Sequence, residues 1–412
     1  MRPNSRILLA KLLVPAALLA AIIGCGPKYV KPAAGPVTFF LSADPDPRQL
    51  AIQATMVKDA KQRGPCFWMF CGDLFADARV AVLTDGEGQK AVLEAAGVDA
   101  VLLGPEWLEF GSDRLGRLLA SARFDVLGAN LLDTLSEPIG YRYSVKKLGS
   151  EAFGLVGLWL DSTDKRIGLD RSTWVAPEFA AARNLPLVRD RAALVGIAVR
   201  PQGGADGLGA DFYLGAGSAK APALARPEPG QIGRLELTVA DGRVLDSRTS
   251  QVFTDGIEPD PAVASAYDAV IASIDSLSAS PAASLKAKVS PQALERMLAD
   301  EFAGSGYDGL VLDSPLANGA IGSLTLGELL TLLSEPGRPV AVVLTGREVK
   351  SLSDARVVWR KALSGKRINP DQKFRLVGTQ AFYESRPELA GRATVLAEPL
   401  WQTVSRVLKS GR

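Results

Sequence analysis

The chain has 412 residues, 22% of them charged, with 47 Lys or Arg against 45 Asp or Glu and no histidine. Nearly cancelling charge without a basic block argues against nucleic acid as a partner. The missing histidine excludes Ser-His-Asp and Cys-His activation and any His-built zinc or iron centre, leaving carboxylates, carbonyls and thiolates for metal chemistry.

Arg2 and Arg6 precede an apolar run from Leu12 to Ile23, too short for a comfortable membrane span and of the length of a secretory signal. It closes on Ile22-Ile23-Gly24-Cys25, which resembles the bacterial lipobox. That resemblance implies a lipoprotein signal peptide over 1–24, cleavage before Cys25 and a lipid on its thiol. Gly26, where no acid follows the cysteine, favours the outer membrane by resemblance to other lipoproteins. Residues 25–36, rich in Pro, Gly and Ala, read as a tether.

Val37 to Ser42 then reads as a strand, and Arg48 to Arg63 as an amphipathic helix ended by Gly64-Pro65. Cys66 to Cys71 (CFWMFC) is a buried-type strand running into Gly72-Asp73. A helix over Gln89 to Ala96, a strand over Ala100 to Leu103, a helix over Asp113 to Arg123 and a strand over Asp125 to Ala129 follow. Gly154 to Leu160, Leu194 to Val199 and Asp211 to Leu214 are further strands. Strands alternating with helices predict a layered α/β domain with ligand loops at strand carboxyl ends. Gly233 to Ser247 alternates around an Asp-Gly turn and predicts a hairpin.

Pro261 to Leu277 is predicted as a bridging helix and Ser278 to Ala283 as a small-residue linker. The α/β pattern then restarts, with helices over Pro291 to Phe302 and Leu324 to Leu333 and strands over Gly309 to Leu312 and Val340 to Leu344. Arg375 to Thr379 and Ala393 to Leu396 are shorter apolar segments.

The order of elements resembles the secreted 5'-nucleotidase/UDP-sugar hydrolase family. The best stretch is Val98 to Leu131, which follows a pattern of strand, GNHEFD-like loop, helix, and strand ending in an ANL-like turn. GLVGL at Gly154 to Leu158, the hairpin GRLELTVADGRV, TLGEL from Thr325 and LTGRE from Leu344 add to it. The resemblance implies an α/β chain: a four-layer calcineurin-like metallophosphoesterase sandwich over 37–258, a linking helix and linker over 259–285, and a smaller 5'-nucleotidase-type C-terminal domain over 286–412.

The family's chemistry uses two divalent metals that polarise phosphate and generate a hydroxide. Its D-x-H motif falls on Asp44-Pro45-Asp46, its G-D on Gly72-Asp73, and its G-N-H-E-F-D on Gly104 to Glu109, with Pro105 and Glu106 in the Asn and His slots. Pro201 stands at the next histidine, and Gly217 and Ala219 at those of G-H-S-H. The nucleotide-binding signatures fall on Asp313 to Ala317, Glu335 to Arg338 and Glu384 to Pro387, without the phosphate-directed arginine or the base-stacking aromatic.

Asp44, Asp46, Asp73 and Glu106 are the candidates for a residual carboxylate site for Mg²⁺ or Ca²⁺; the bland alternative makes some of them loop or helix caps. Clustered carboxylates without a cation repel. Arg200, beside Pro201, and Lys220, after the G-H-S-H slot, are therefore candidates to replace the metals' charge. Cys66 and Cys71 are five strand steps apart, roughly 16 Å and on opposite faces, which argues against a disulfide. Cys71, next to the cleft, is the possible thiol. Trp107 either plugs the emptied cavity or offers a stacking surface.

The expectation is a lipid-anchored protein on the periplasmic face of the envelope, with no catalytic residues, no cofactor, and a binding or scaffolding role toward a protein or small-molecule ligand. A hydrolase with a carboxylate-only metal site is the alternative, and a thiol-redox protein the third reading.

Overall fold

The computed structural model describes residues 35–72, 78–164, 167, 169–205, 207–217, 220–312, 316, 320–333, 338–352 and 355–410. The signal peptide, Cys25 and most of the tether lie outside them, as do Asp73, Ser218, Ala219 and most of the Asp313–Ala317 and Glu335–Arg338 segments. From Pro36 onward the chain forms one compact unit.

The first half is built on parallel strands that read as near-continuous apolar runs because both faces are covered. They are β1 (Gly35–Ser42), β2 (Cys66–Cys71), β3 (Ala100–Leu102) and β4 (Asp125–Leu127). Helix α1 (Pro47–Arg63) crosses between β1 and β2, started by an Asp46 capping box and Pro47 and stopped at Gly64. A second sheet contains β5 (Ser144–Leu148), β6 (Glu151–Trp159), β7 (Leu194–Gly204), β8 (Phe212–Gly217) and β9 (Ala223–Leu224). The hairpin β10 (Gln231–Ala240) and β11 (Arg243–Phe253) turns on Asp241-Gly242, both at positive φ. It completes the first sheet, ordered β11-β10-β1-β2-β3-β4, and the second runs β9-β8-β7-β6-β5.

Period-two alternation sorts the side chains into layers. Phe39, Leu41, Phe67 and Met69 meet Phe153, Leu155, Phe212 and Leu214 between the sheets, where the Phe39 and Phe212 rings lie 4.7 Å apart. Phe40, Trp68 and Phe70 face outward onto Leu50, Ala54 and Val57 of α1. The far side of the second sheet is covered by α2 (Pro177–Arg189) through Ala181, Leu185 and Val188. Helix, sheet, sheet, helix is the four-layer arrangement expected.

Helix α3 (Pro261–Ala279) leads into the second half, its Asp260 cap accepting from Ala262 N at 3.0 Å and Val263 N at 3.1 Å and ion-pairing with Lys58 at 2.7 Å. The linker expected over Ser278 to Ala283 is instead the end of this helix followed by strand β12 (Pro281–Val289), paired antiparallel with Ala320–Thr325. Small residues hid that strand, since cross-strand pairing and not intrinsic propensity makes it. A five-stranded mixed sheet forms the core of this half. One face packs against Leu294, Leu298 and Phe302 of helix Pro291–Gly304 and Val404, Val407 and Leu408 of helix Leu400–Ser410. The other face, through Val311, Val340, Val342, Leu344 and Leu376, joins the core of the first half at Leu103, Trp107 and Leu108.

Candidate functional site

Parallel β1 and β2 end side by side, with Ser42 opposite Phe70, so their following loops meet at the carboxyl edge of the sheet. Asp44 sits there at φ 43°, a left-handed conformation that short polar side chains tolerate. A Cβ on Gly72 would lie 2.3 Å from Asp44 Oδ1 and 2.4 Å from its amide nitrogen, so only glycine lets the two loops touch.

Two arginines converge on the Asp44 carboxylate. Arg226, in the segment after β9, forms an ion pair with Oδ2. Arg200 of β7 places a guanidinium nitrogen 4.0 Å from Oδ1. The Arg200 side chain is only 8% exposed, and its guanidinium lies over the Trp159 ring at 5.3 Å, since Trp159 is its register partner on β6. Fully buried Asn130 fixes that tryptophan's backbone: its Nδ2 donates to the Trp159 carbonyl at 2.7 Å and its Oδ1 accepts from Trp159 N at 2.8 Å. Trp174 Nε1 also donates to that carbonyl, at 2.9 Å.

The other sequence candidates fall elsewhere. Asp46 is exposed and caps α1, its Oδ1 accepting from Gln49 N at 2.8 Å while Gln49 Oε1 accepts from Asp46 N at 3.3 Å. Glu106 lies on the 3-10 turn Pro105–Phe110; its side chain, like all of Asp73, is outside the described residues. Among the described residues no three His, Cys, Asp or Glu side chains converge as a metal site. Lys220 is exposed. Of the two readings of Trp107, the stacking surface is excluded by its burial: it belongs to the core with Leu103, Leu108 and Leu115, with Phe110 edge-on at 6.4 Å. Strand β7 also does not stop at Val199. It runs on past Pro201 to Gly204, paired with β8 across a bulge after Leu214.

Both cysteines of β2 are free. Cys71 faces the inter-sheet core, and burial pushes its thiol up to about 12, with the Arg200 cation pulling weakly the other way. A thiol needs its anion and an approach path to attack, and burial in the inter-sheet core disfavours both at Cys71, which corrects the expectation of a cleft thiol. Under a thiol-labelling reagent at pH 8, Cys71 is expected to react only after denaturant is added; fast native labelling at Cys71 would contradict its burial. Cys66 is half-buried and its thiol is also raised by burial.

Sequence alone does not select Arg226 or Asn130. Asn130 stood inside the quoted ANL turn, but its clamp on Trp159 depends on the partner strand. Arg226 follows the short strand β9, and only the approach of that segment to Asp44 in the fold selects it.

At the second half, Arg338 is buried and bridges to Asp85 of the first half at 2.6 Å, also donating to the Leu396 carbonyl at 3.3 Å. Phe382 and Tyr383 are fully buried, their rings edge to face at 5.0 Å. Buried Arg386 lies 4.4 Å over Phe382 and donates to its carbonyl at 3.0 Å.

No family model matches the sequence, and no curated protein does. Solved structures do. A 5'-nucleotidase precursor from Thermus thermophilus is 15% identical, with 91% of this chain and 96% of that chain covered and a TM-score of 0.52. A putative 5'-nucleotidase from Staphylococcus aureus, solved with alpha-ketoglutarate, is 12% identical over 91% and 96%, at 0.53. An NAD nucleotidase from Haemophilus influenzae is 12% identical over 92% and 96%, at 0.50. The chain therefore has the two-domain fold of the 5'-nucleotidases.

Proposed function

We propose that this protein keeps the 5'-nucleotidase fold without its phosphohydrolase chemistry, and acts from the cell envelope, anchored by a lipid on Cys25, by binding or scaffolding. The observation that carries this is the pair of arginines on Asp44, the residue the resemblance places first among the metal ligands. A guanidinium on each side of that carboxylate supplies the positive charge that a divalent ion would bring, and repels a second cation.

The residues present do not fit two metals. Asp46 is committed to a helix amino terminus, and the chain has no imidazole to offer. Phe382 and Tyr383, which precede the last nucleotide-binding signature position, are fully buried, with Arg386 over Phe382, and so present no face for a base to stack on.

One preparation tests the reading. Protein extracted from the envelope with detergent is expected to carry a lipid mass on Cys25. After dialysis against Mn²⁺, Mg²⁺ or Ca²⁺ it is expected to retain no stoichiometric metal and to release no phosphate from nucleotides or p-nitrophenyl phosphate. Tightly held metal, or metal-dependent turnover lost in Asp44→Asn, would establish the carboxylate-only hydrolase instead. An unmodified Cys25 would remove the anchor.

A further inference from the structure

Away from the Asp44 cluster, a cleft of about 480 Å³ opens at the junction of the two halves. Arg171 of the 3-10 turn Leu169–Arg171 lines it from the first half; Thr345, Glu348, Lys373 and Arg392 line it from the second. Three cations thus face one carboxylate. That carboxylate is already committed: Glu348 Oε1 accepts from Arg392 Nη1 at 2.5 Å, and its Oε2 accepts from Thr345 N at 2.6 Å and Thr345 Oγ1 at 2.9 Å. Those contacts hold Glu348 ionised down to about 2, with the Arg392 hydrogen bond the largest cause.

Arg392 spends its guanidinium on Glu348 and on the Val343 carbonyl. Arg171 and Lys373 are exposed, and neither has a side-chain hydrogen bond or ion pair among the described residues. The fork of Arg171 and the ammonium of Lys373 are therefore unspent donors converging on one space. Arg171 is also presented at a cost. It and Asp170 occupy successive left-handed conformations, φ 61° and 52°, which residues other than glycine adopt sparsely. Asp170 is held there by Ser112, whose amide donates to its carboxylate at 2.7 Å. Strain that positions a side chain with no role in the fold points to a role outside it.

We propose that this cleft binds a compact phosphate-bearing anion, gripped by Arg171 and Lys373 with the Arg392–Glu348 pair as its floor. A planar guanidinium matches two phosphate oxygens at once, and an ammonium adds a point charge beside it. The site is separate from the Asp44 cluster and does not depend on the reading given to that cluster.

Inorganic pyrophosphate titrated into the detergent-solubilised full chain by calorimetry is the test. One saturating site is expected, weakened about tenfold by Arg171→Asn and about tenfold by Lys373→Gln, as for a lost charge-assisted hydrogen bond. Asparagine tolerates the positive φ at 171, so a failure to fold does not confuse the result. Arg347→Gln, which removes an exposed cation paired with Asp371, is expected to leave binding unchanged. Retention on phosphatidylglycerol vesicles with the same dependence on Arg171 and Lys373, and no pyrophosphate binding, supports the site with a lipid headgroup as the phosphate's source. No saturable binding of either probe, or binding indifferent to both substitutions, overturns it. Binding lost in Arg226→Gln but kept in the two cleft variants also overturns it, by moving the anion to the Asp44 cluster.

Discussion

Replacing Arg200 by alanine is expected to destabilise the protein by about 3 kcal/mol, in the range for breaking a buried charge pair. The side chain lies under Trp159 between two paired strands and is almost wholly out of water. Truncation leaves a void there, removes the contact of the cation with the ring, and halves the positive charge around Asp44. The ion pair itself is the smaller part. Asp44 is 41% exposed, so water and salt recover much of what its carboxylate loses. Arg226, itself 30% exposed, is accordingly expected to cost only about 1 kcal/mol on truncation to alanine. Arg200→Met separates the two contributions, because it refills the space without the charge. Urea midpoints of the three variants, at constant slope, check the ranking. A loss below about 0.5 kcal/mol for Arg200→Ala, the level of an ordinary surface change, would mean that this guanidinium is not built into the site.

Much of the first half was legible because its signals are local. CFWMFC can only be a strand covered on both faces, Asp241-Gly242 can only turn a tight hairpin, and Asp-Pro marks the amino ends of both α1 and α3. What escaped was decided at a distance or masked by a local contradiction. Helix α2 contains Pro186 and carries no apolar stripe clean enough to outweigh it, yet the second sheet holds it in place through Ala181, Leu185 and Val188. Helix Leu400–Ser410 is two-sided in pattern, burying Leu400, Val404, Val407 and Leu408, but follows short irregular segments that give it no local start signal.

The site divides along the same line. Asp44 was legible because a motif of fixed spacing follows β1, and Arg200 because it adjoins Pro201 on a strand whose apolar run is unmistakable. Asp46 kept the motif's spacing, but the same Asp-Pro that marks the motif also begins a helix, and the helix end claims its carboxylate. Trp107 reads from sequence as either exposed or buried, since its burial comes from a core that includes residues of the second half's sheet.

That closure sets the second large effect: Phe382→Ala is expected to cost about 4 kcal/mol and to lower a single unfolding transition for the whole compact unit. Phe382 and Tyr383 belong to the same core as Val101, Leu103 and Leu108, so the halves share buried surface and have no separate cores to fall back on at this face. Arg338 adds an ion pair with Asp85 across the same junction. Halves joined in this way melt together, because opening either one exposes the other's apolar face. Tyr383→Phe is the matched contrast. Its hydroxyl is buried without a hydrogen-bond partner among the described residues, and burial raises its pKa well above the ordinary value. Removing that oxygen takes away an unsatisfied group at no loss of packing, so the variant is expected to be neutral or more stable by about 1 kcal/mol. Calorimetry of the two variants beside the parent protein decides it. Two resolved transitions, with Phe382→Ala moving only one of them, would show that the junction is a contact between independent domains and not one core.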